Sequence, residues 1–191
     1  MKKLFLMAAM VLSSVGAFAQ HSVGSVTLQP RVGVNIADLT DFGDSKVRVG
    51  LAAGAELEYQ ATDLFSLSAG VLYSMQGAKQ EYKSATATTK LDYVNIPIMA
   101  NVYVAKGLAV KVGVQPGFNV NSEIEGKAFD QTATAKVEAK SFDFAIPVGV
   151  SYEYSNVVLD ARYNWGLTKV AENSDCKNSV FQITLGYKFD L

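Results

Sequence analysis

The sequence is poor in the residues on which several classes of protein depend. Its 191 residues include one cysteine and one histidine, and the formal net charge is only −1. A lone Cys176 excludes an intrachain disulfide, and the near-neutral charge gives no electrostatic basis for binding nucleic acid. After residue 20, no segment approaches the roughly 20 apolar residues that a membrane-spanning helix needs. By length, the rest of the chain is a single domain.

The most informative segment present is the last one, residues 181–191, because it alternates strictly between apolar and polar residues. The apolar set is Phe181, Ile183, Leu185, Tyr187, Phe189 and Leu191. Period-two alternation indicates a β-strand with one apolar face. A chain that ends on such a strand, with aromatic residues near its end, is typical of outer-membrane barrels. The spacing also resembles the C-terminal signal that barrel-assembly machinery recognises.

The N-terminus has the features of a secretory signal peptide. Lys2 and Lys3 provide a basic start, an apolar run follows, and Ala17 and Ala19 form a small-x-small cleavage pattern. We therefore expect residues 1–19 to be a cleaved signal peptide and residues 20–191 to be the mature barrel domain, beginning at Gln20. No cysteine stands at the cleavage point, so a lipoprotein anchor is not expected.

The mature chain repeats the same alternation in eight segments. These segments are 26–36, 47–59, 65–76, 93–104, 108–121, 142–154, 157–166 and 181–191. Repeated alternation at this length, separated by turn residues, predicts a transmembrane β-barrel. The fold class we expect is all-β: an eight-stranded, antiparallel, up-and-down transmembrane β-barrel.

The connections between these segments are short and long in turn. Short turns are expected at Thr62–Asp63, Lys106–Gly107 and Ser155–Asn156. The other connections, 38–46, 78–90, 122–140 and 167–178, are longer and are predicted to be loops. Outer-membrane barrels have short periplasmic turns and longer extracellular loops, so the pattern places both chain ends in the periplasm.

Two aromatic belts favour an apolar face that points outward into lipid. One set falls near the periplasmic rim: Tyr59, Phe65, Tyr152, Tyr154, Tyr187 and Phe189. The other falls near the extracellular rim: Tyr73, Phe118, Phe142, Tyr163, Trp165 and Phe181. Aromatic residues concentrate at membrane–water interfaces, whereas a soluble barrel would bury them throughout its core. The predicted location is the outer membrane of a Gram-negative cell, reached through the periplasm, with the lipid bilayer as a partner.

The inward face carries charges of both signs. The cations are Arg31, Arg48, Lys111, Arg162 and Lys188, and the carboxylates are Glu56, Glu58, Asp143, Glu153, Asp160 and Asp190. Buried charges must be paired and hydrogen-bonded. We therefore expect an ion-pair network that fills the lumen, rather than a set of catalytic carboxylates.

Four segments resemble the PorT family of outer-membrane barrels. They are FSLSAGVLYSMQG at 65–77, YVNIPIM at 93–99, AVKVGVQPGF at 109–118 and DARYNWGLT at 160–168. The resemblance extends over roughly residues 26–191. It implies an outer-membrane barrel fold and, less directly, a role in protein secretion.

No catalytic, cofactor-binding or metal-binding residue is predicted. The only histidine, His21, precedes the barrel strands, so it is not expected to act in catalysis. Cys176 is expected to be an incidental cysteine of the last long loop, and the alternative is a reactive exposed thiol. Asp38, Asp41 and Asp44 share a loop but lack the spacing of a calcium-binding EF-hand. No cofactor is expected.

The expected function is that of a non-enzymatic barrel whose long loops bind an extracellular ligand or whose body supports the envelope. The alternatives are an accessory component of a secretion apparatus, with a secretion-system protein as partner, a narrow pore, and a membrane-embedded hydrolase. Insertion would require the barrel-assembly machinery, and no nucleic-acid partner is expected.

Overall fold

The structure is a computed structural model that describes residues 21–41, 43, 45–82, 85–129, 131–172 and 174–191. The predicted signal peptide, residues 1–19, lies outside the described residues. Strands account for most of the described chain. They are β1 (Val26–Leu39), β2 (Ser45–Gln60), β3 (Phe65–Tyr82), β4 (Ala85–Asn95), β5 (Ile98–Ala105), β6 (Leu108–Ala128), β7 (Gln131–Lys136), β8 (Phe142–Tyr154), β9 (Val157–Lys169), β10 (Lys177–Tyr187) and β11 (Phe189–Asp190). No helix among these residues is long and apolar enough to cross a membrane.

The strands form a closed antiparallel ring of eight crossings. β1, β2 and β3 pair in order, β6 pairs with β8, β8 with β9, and β9 with β10. The ring closes where β10 and its continuation β11 pair with β1. β4 and β5 together make the fourth crossing between β3 and β6. The predicted eight-stranded, up-and-down barrel is confirmed.

The fourth crossing is interrupted at Ile96 and Pro97. Proline has no backbone N–H to donate to a sheet, so it interrupts the regular pairing of a strand. The wall nevertheless remains bonded, because the Ile96 amide donates to the Pro116 carbonyl at 2.8 Å and the Gly70 amide donates to the Pro97 carbonyl at 3.1 Å.

The barrel is apolar outside and polar inside. Val49 is 63% exposed and Leu185 is 53% exposed, whereas Gln29 and Arg162 are each only 1% exposed. A water-soluble barrel would have the reverse arrangement. The predicted outward orientation of the apolar face is therefore confirmed, and a lipocalin-like soluble barrel is excluded.

The strand register places the aromatic residues at two heights. Tyr187 pairs with Val157, and Val157 pairs with Tyr154, so these residues share the end of the barrel that is predicted to be periplasmic. Phe118 pairs with Phe142 near the other end, and their rings meet edge to face at 5.8 Å. The apolar band between the two belts is the part of the wall that lies in hydrocarbon.

Two of the predicted long loops are largely strands, so that part of the prediction is wrong. β3 and β4 stay paired up to Tyr82 and Ala85, and β6 extends to Ala128 before β7 folds back along it. The sequence did not indicate these strands because their alternation has no apolar face. Above the membrane no hydrocarbon requires such a face, and small or polar residues occupy both sides of the sheet, as the adjacent Thr88 and Thr89 do.

Candidate functional sites: the filled lumen and the extracellular sheet

The centre of the lumen holds a buried cluster of five charged side chains. Arg31 contacts Glu56 at 2.6 Å and Asp160 at 2.9 Å, although these two carboxylates come from different strands. Arg162 bonds Asp160 at 2.7 Å and Glu56 at 3.0 Å, and Lys111 lies 3.1 Å from Asp160. Three cations therefore share two carboxylates, and the predicted ion-pair network is present at this level.

Small residues on neighbouring strands leave the space that this cluster fills. A Cβ atom on Gly149 would lie 2.7 Å from Cβ of Arg162, and one on Gly70 would lie 2.4 Å from Cγ of Glu56. Both distances are too short for carbon atoms in contact. These inward-facing glycines accordingly allow long charged side chains to lie across a narrow barrel.

A second cluster fills the lumen toward the periplasm. Lys188 contacts Glu58 at 3.0 Å and Glu153 at 2.9 Å. Tyr103 and Ser66 both donate hydrogen bonds to Glu58, at 2.6 Å and 2.5 Å. Lys188 also lies 5.9 Å from the centre of the Tyr103 ring, a cation–π distance.

His21 closes the periplasmic mouth, which the sequence did not indicate. Its Nε2 lies 2.9 Å from Glu153, its Nδ1 lies 2.8 Å from Asp190, and its side chain is 8% exposed. The hydrogen bond to Glu153 raises the pKa of His21 above its usual 6.5, although burial opposes the change. Asp190, which was predicted to lie in the lumen, has a side chain that is 66% exposed and lies at this mouth.

A third group of charged residues lies toward the extracellular end. Arg48 donates to the Gln76 carbonyl and lies 3.3 Å from Asp92. Tyr73 and Asn121 donate to the other oxygen of the Asp92 carboxylate, each at 3.2 Å. Asp92 was absent from the predicted lumen set because the β4–β6 register shifts between Asp92 and Tyr93, so adjacent residues both face inward.

Asp143 is buried in the lumen as predicted, but it is held by a hydroxyl group. The Thr168 hydroxyl donates to Oδ1 of Asp143 at 2.6 Å and accepts a hydrogen bond from the Phe144 amide at 2.9 Å. This pair joins β8 to the end of β9 at the extracellular side.

A small apolar cluster covers the extracellular end of the lumen and includes Cys176. Its buried members are Leu39, Ala78, Leu91, Tyr93, Val170 and Cys176. Cys176 is only 6% exposed, and its thiol donates to the Asp41 carbonyl at 3.5 Å. Cys176 lies in the loop before β10, as predicted, but it packs against apolar neighbours, so the alternative of an exposed thiol is wrong.

The aspartates of the first long loop have different surroundings. Oδ1 of Asp38 accepts hydrogen bonds from the Leu39 amide and the Ser45 hydroxyl, each at 2.8 Å. Asp41 has a positive φ of 56° and contributes its carbonyl to Cys176. Asp44 lies outside the described residues. The two described aspartates thus stabilise the loop through local contacts.

Above the extracellular belt the wall continues as a sheet that ends at β7. β4 pairs with β6 up to Ala128, and β6 pairs on its other side with β7 from Gln131 to Lys136. All six residues of β7 are exposed. Within the described part of the chain, β7 pairs with β6 only, so its second edge is free.

Comparison with known proteins agrees with this architecture. The family model for the outer membrane protein beta-barrel domain matches residues 18–172, and the chain belongs to that family. No curated protein matches the sequence. The protein is an outer-membrane β-barrel protein, and its location is the outer membrane.

Two solved structures show the same fold at low sequence identity. One is Ail, the attachment invasion locus protein of Yersinia pestis, with 14% identity, a TM-score of 0.56, and coverage of 88% of this chain and 100% of Ail. The other is Neisserial surface protein A, with 16% identity, a TM-score of 0.52, and coverage of 86% and 97%. At these identities the likeness concerns the fold alone.

Proposed function

We propose that this protein is a non-enzymatic surface barrel that binds an extended segment of another protein along the free edge of β7. The observation that carries the proposal is that β7 is a fully exposed edge strand, bonded on one side only. Such an edge presents unpaired backbone donors and acceptors, and adding a strand to it is a common way to bind a peptide.

The composition of β7 suits this mode of binding. Its sequence is Gln-Thr-Ala-Thr-Ala-Lys, and the four middle side chains are small or β-branched, so they leave room for an incoming backbone. Natural edge strands that avoid pairing are very short or carry prolines, bulges or charged side chains. β7 has six residues in regular register and no proline, and its single charge, Lys136, stands at its end.

The turn that precedes β7 adds an exposed aromatic side chain. Phe129 is 84% exposed and has a positive φ of 45°. A bulky residue in this conformation is strained, and such strain concentrates at functional positions. Exposed aromatic residues are also frequent anchors in protein interfaces. We infer that Phe129 contacts the partner beyond the strand edge.

The lumen supports a binding role over a pore or a hydrolase. Three groups of buried ion pairs and hydrogen bonds lie along it, around Arg48, Arg162 and Lys188. Both ring nitrogens of His21 are within 2.9 Å of carboxylates, so neither is directed at a serine for nucleophilic attack. Ail, which shares the fold, is by its name an attachment invasion locus protein, and we propose surface attachment here as well.

A second candidate function is an accessory role in protein secretion. The observation that favours it is the resemblance of residues 93–99 to the PorT family, at the point where the fourth crossing is interrupted by Pro97. A deletion strain with reduced secretion of extracellular enzymes, restored by the wild-type gene, would support it. Normal secretion would remove this candidate.

The β7 proposal is tested by site-specific photocrosslinking in living cells. A photoreactive amino acid at Thr132 or Thr134 should give a discrete adduct, and mass spectrometry should locate the joined peptide in an extended segment of one partner. The control position is Lys46, whose exposed side chain pairs with Glu81 on the other side of the extracellular sheet. Equal crosslinking at Lys46 would contradict the proposal.

Proline substitutions test the backbone directly. Successive residues of a strand direct their N–H groups to opposite edges, so of Ala133→Pro and Thr134→Pro one removes a donor from the free edge. That variant should lose the adduct while the barrel stays folded. Retention of the adduct by both variants would overturn binding along this edge.

A further inference from the structure

A large polar cleft interrupts the barrel wall above the start of β8. β8 begins at Phe142, whereas its neighbours β6 and β9 continue to Ala128 and Lys169. Residues 137–141 cross the gap: the Val137 amide donates to the Ser122 carbonyl at 3.2 Å, and the Lys140 amide donates to the Val170 carbonyl at 2.8 Å. The cleft between this segment and the wall has a volume of about 1030 Å³.

The cleft opens at the level of the extracellular aromatic belt. Phe142 and Val120 line it and are 45% and 54% exposed on the outer surface of the barrel. Phe142 also contacts the ring of Phe118, another member of that belt. Aromatic belts mark the depth at which lipid headgroups begin, so the cleft lies beside the headgroups of the outer leaflet.

The lining of the cleft combines cations with groups that bind sugars. Three lysines contribute to it, Lys136, Lys140 and Lys169, and Lys169 is also paired with Asp175 at 2.5 Å. The neutral polar lining residues are Asn119, Asn121, Ser122, Ser141 and Thr168. Lysine is a common ligand for phosphate, and amides and hydroxyls exchange hydrogen bonds with sugar hydroxyls.

Two carboxylates, Glu138 and Glu172, also line the cleft. A purely phosphate-binding site would exclude them, because carboxylates repel an anion. A phosphorylated sugar accommodates both kinds of group, since its hydroxyls can donate to carboxylates while its phosphate meets the lysines. The cleft volume also fits a sugar headgroup better than a single ion, because small-molecule sites measure about 300–1,000 Å³.

We propose that this cleft binds the phosphorylated sugar headgroup of a glycolipid in the outer leaflet. The acyl chains would then lie against the exposed apolar wall below Val120 and Phe142. The position at the belt favours a lipid over a soluble sugar phosphate, because a soluble ligand has no need of an adjacent hydrocarbon-facing wall. This site shares Lys136 with the end of β7, but its lining does not include residues 131–135 of the proposed protein-binding edge, and it takes a different class of ligand.

The test uses the full barrel reconstituted in nanodiscs that contain a phosphorylated, lipid A-type glycolipid. Native mass spectrometry should show one glycolipid retained per barrel. Lys136→Gln combined with Lys140→Gln should weaken retention by about thirtyfold, since each lysine near a charged headgroup contributes roughly a fivefold to sixfold effect. The dephosphorylated form of the same glycolipid should bind the wild type as weakly as the phosphorylated form binds the double variant.

Matched variants distinguish this site from general surface charge. Lys46→Gln combined with Lys127→Gln removes two exposed lysines, paired with Glu81 and Glu125, from elsewhere on the extracellular sheet. It should leave glycolipid retention nearly unchanged. Equal loss in both double variants would overturn the site, as would equal retention of the dephosphorylated glycolipid.

Soluble competitors identify the source of the ligand. A sugar phosphate without acyl chains should displace the glycolipid only weakly. Full displacement by the sugar phosphate at the same concentration as the glycolipid would assign the cleft to a soluble ligand and refute the lipid proposal. Of Ala133→Pro and Thr134→Pro, the variant that keeps the β6–β7 pairing leaves Lys136 in place and should retain the glycolipid. Failure of the β7 proposal and failure of this one therefore give different results. The changed mobility of folded barrels on unheated gels verifies that each variant is folded.

Discussion

The central ion cluster predicts that removing a carboxylate costs more than removing an arginine. Arg31, Lys111 and Arg162 face Glu56 and Asp160, and all five side chains are at most 3% exposed. Replacing Glu56 by glutamine leaves three cations against one carboxylate. Replacing Arg162 by methionine leaves two cations against two carboxylates, so the charges balance.

The magnitudes follow from the contacts that each variant retains. Glu56→Gln leaves three buried cations to share the single carboxylate of Asp160, and breaking buried ion pairs in this way costs about 3–5 kcal/mol. Arg162→Met removes three hydrogen bonds, of 2.7 Å and 2.8 Å to Asp160 and of 3.0 Å to Glu56, but Arg31 still holds both carboxylates, at 2.6 Å and 2.9 Å. We expect a smaller cost of about 1.5–3 kcal/mol, the usual value of one hydrogen bond to a charged group, because the remaining charges balance.

The assay is reversible urea unfolding of the barrel in lipid vesicles, followed by fluorescence of the single tryptophan. Trp165 is 61% exposed on the outer belt, away from the cluster, so it reports on the membrane-embedded wall. Glu81→Gln is the control, because its side chain is 49% exposed in a surface pair, and it should change stability by less than about 1 kcal/mol.

The double variant makes the test decisive. Glu56→Gln together with Arg162→Met leaves two cations and one carboxylate, the same net charge as the wild type. Its cost should therefore be clearly less than the sum of the two single costs. Additive costs, or an Arg162→Met barrel less stable than the Glu56→Gln barrel, would show that charge balance does not govern this lumen.

Four further outcomes are expected. His21→Gln should destabilise the barrel at about pH 6 but much less at about pH 9. Because the pKa of His21 is raised in the folded protein, its stabilisation is complete below pH 6.5 and is lost as the pH rises through the pKa of the folded state. Urea titrations measure this, and equal effects at both pH values would contradict it. In planar bilayers the wild type should conduct little or no current, and steady porin-like currents would refute the filled lumen. Phe189→Ala with Leu191 deleted should refold in detergent yet give a low yield in isolated outer membranes. A normal yield there would show that these residues are an ordinary strand end. Cys176, at 6% exposure, should react with a maleimide only after urea opens the barrel, and rapid labelling of the folded protein would argue against its burial.

The transmembrane part of this protein could be predicted from sequence because hydrocarbon imposes a simple rule. Every strand that crosses the bilayer must turn one face to lipid, so apolar residues recur at every second position. That rule yields the eight crossings, the outward apolar face and the two aromatic belts. It also identifies Arg31, Glu56 and Asp160 as inward-facing residues, and the structure places them there.

The pattern ceases to be informative where the bilayer ends. Strands such as β7 have no hydrocarbon on either side, so the sequence of Gln131–Lys136 predicts a loop as readily as a strand. The register irregularity that brings Asp92 into the lumen is likewise set by pairing between strands, and it breaks the alternation on which the prediction depends.

The closed barrel alone determines which side chains from different strands contact each other. Arg31 and Asp160 are held 2.9 Å apart because β1, β9 and β10 lie side by side after the ring closes, and nothing local to either residue indicates the pairing. For the same reason His21 closes a mouth formed by Glu153 and Asp190, Cys176 is buried beneath the extracellular loops, and a cleft lies above β8. The sequence by itself determined which side chains face lipid and which face inward, because each strand satisfies the bilayer separately. The contacts inside and above the barrel depend on the register of all eight crossings at once, and only the tertiary structure fixes that register.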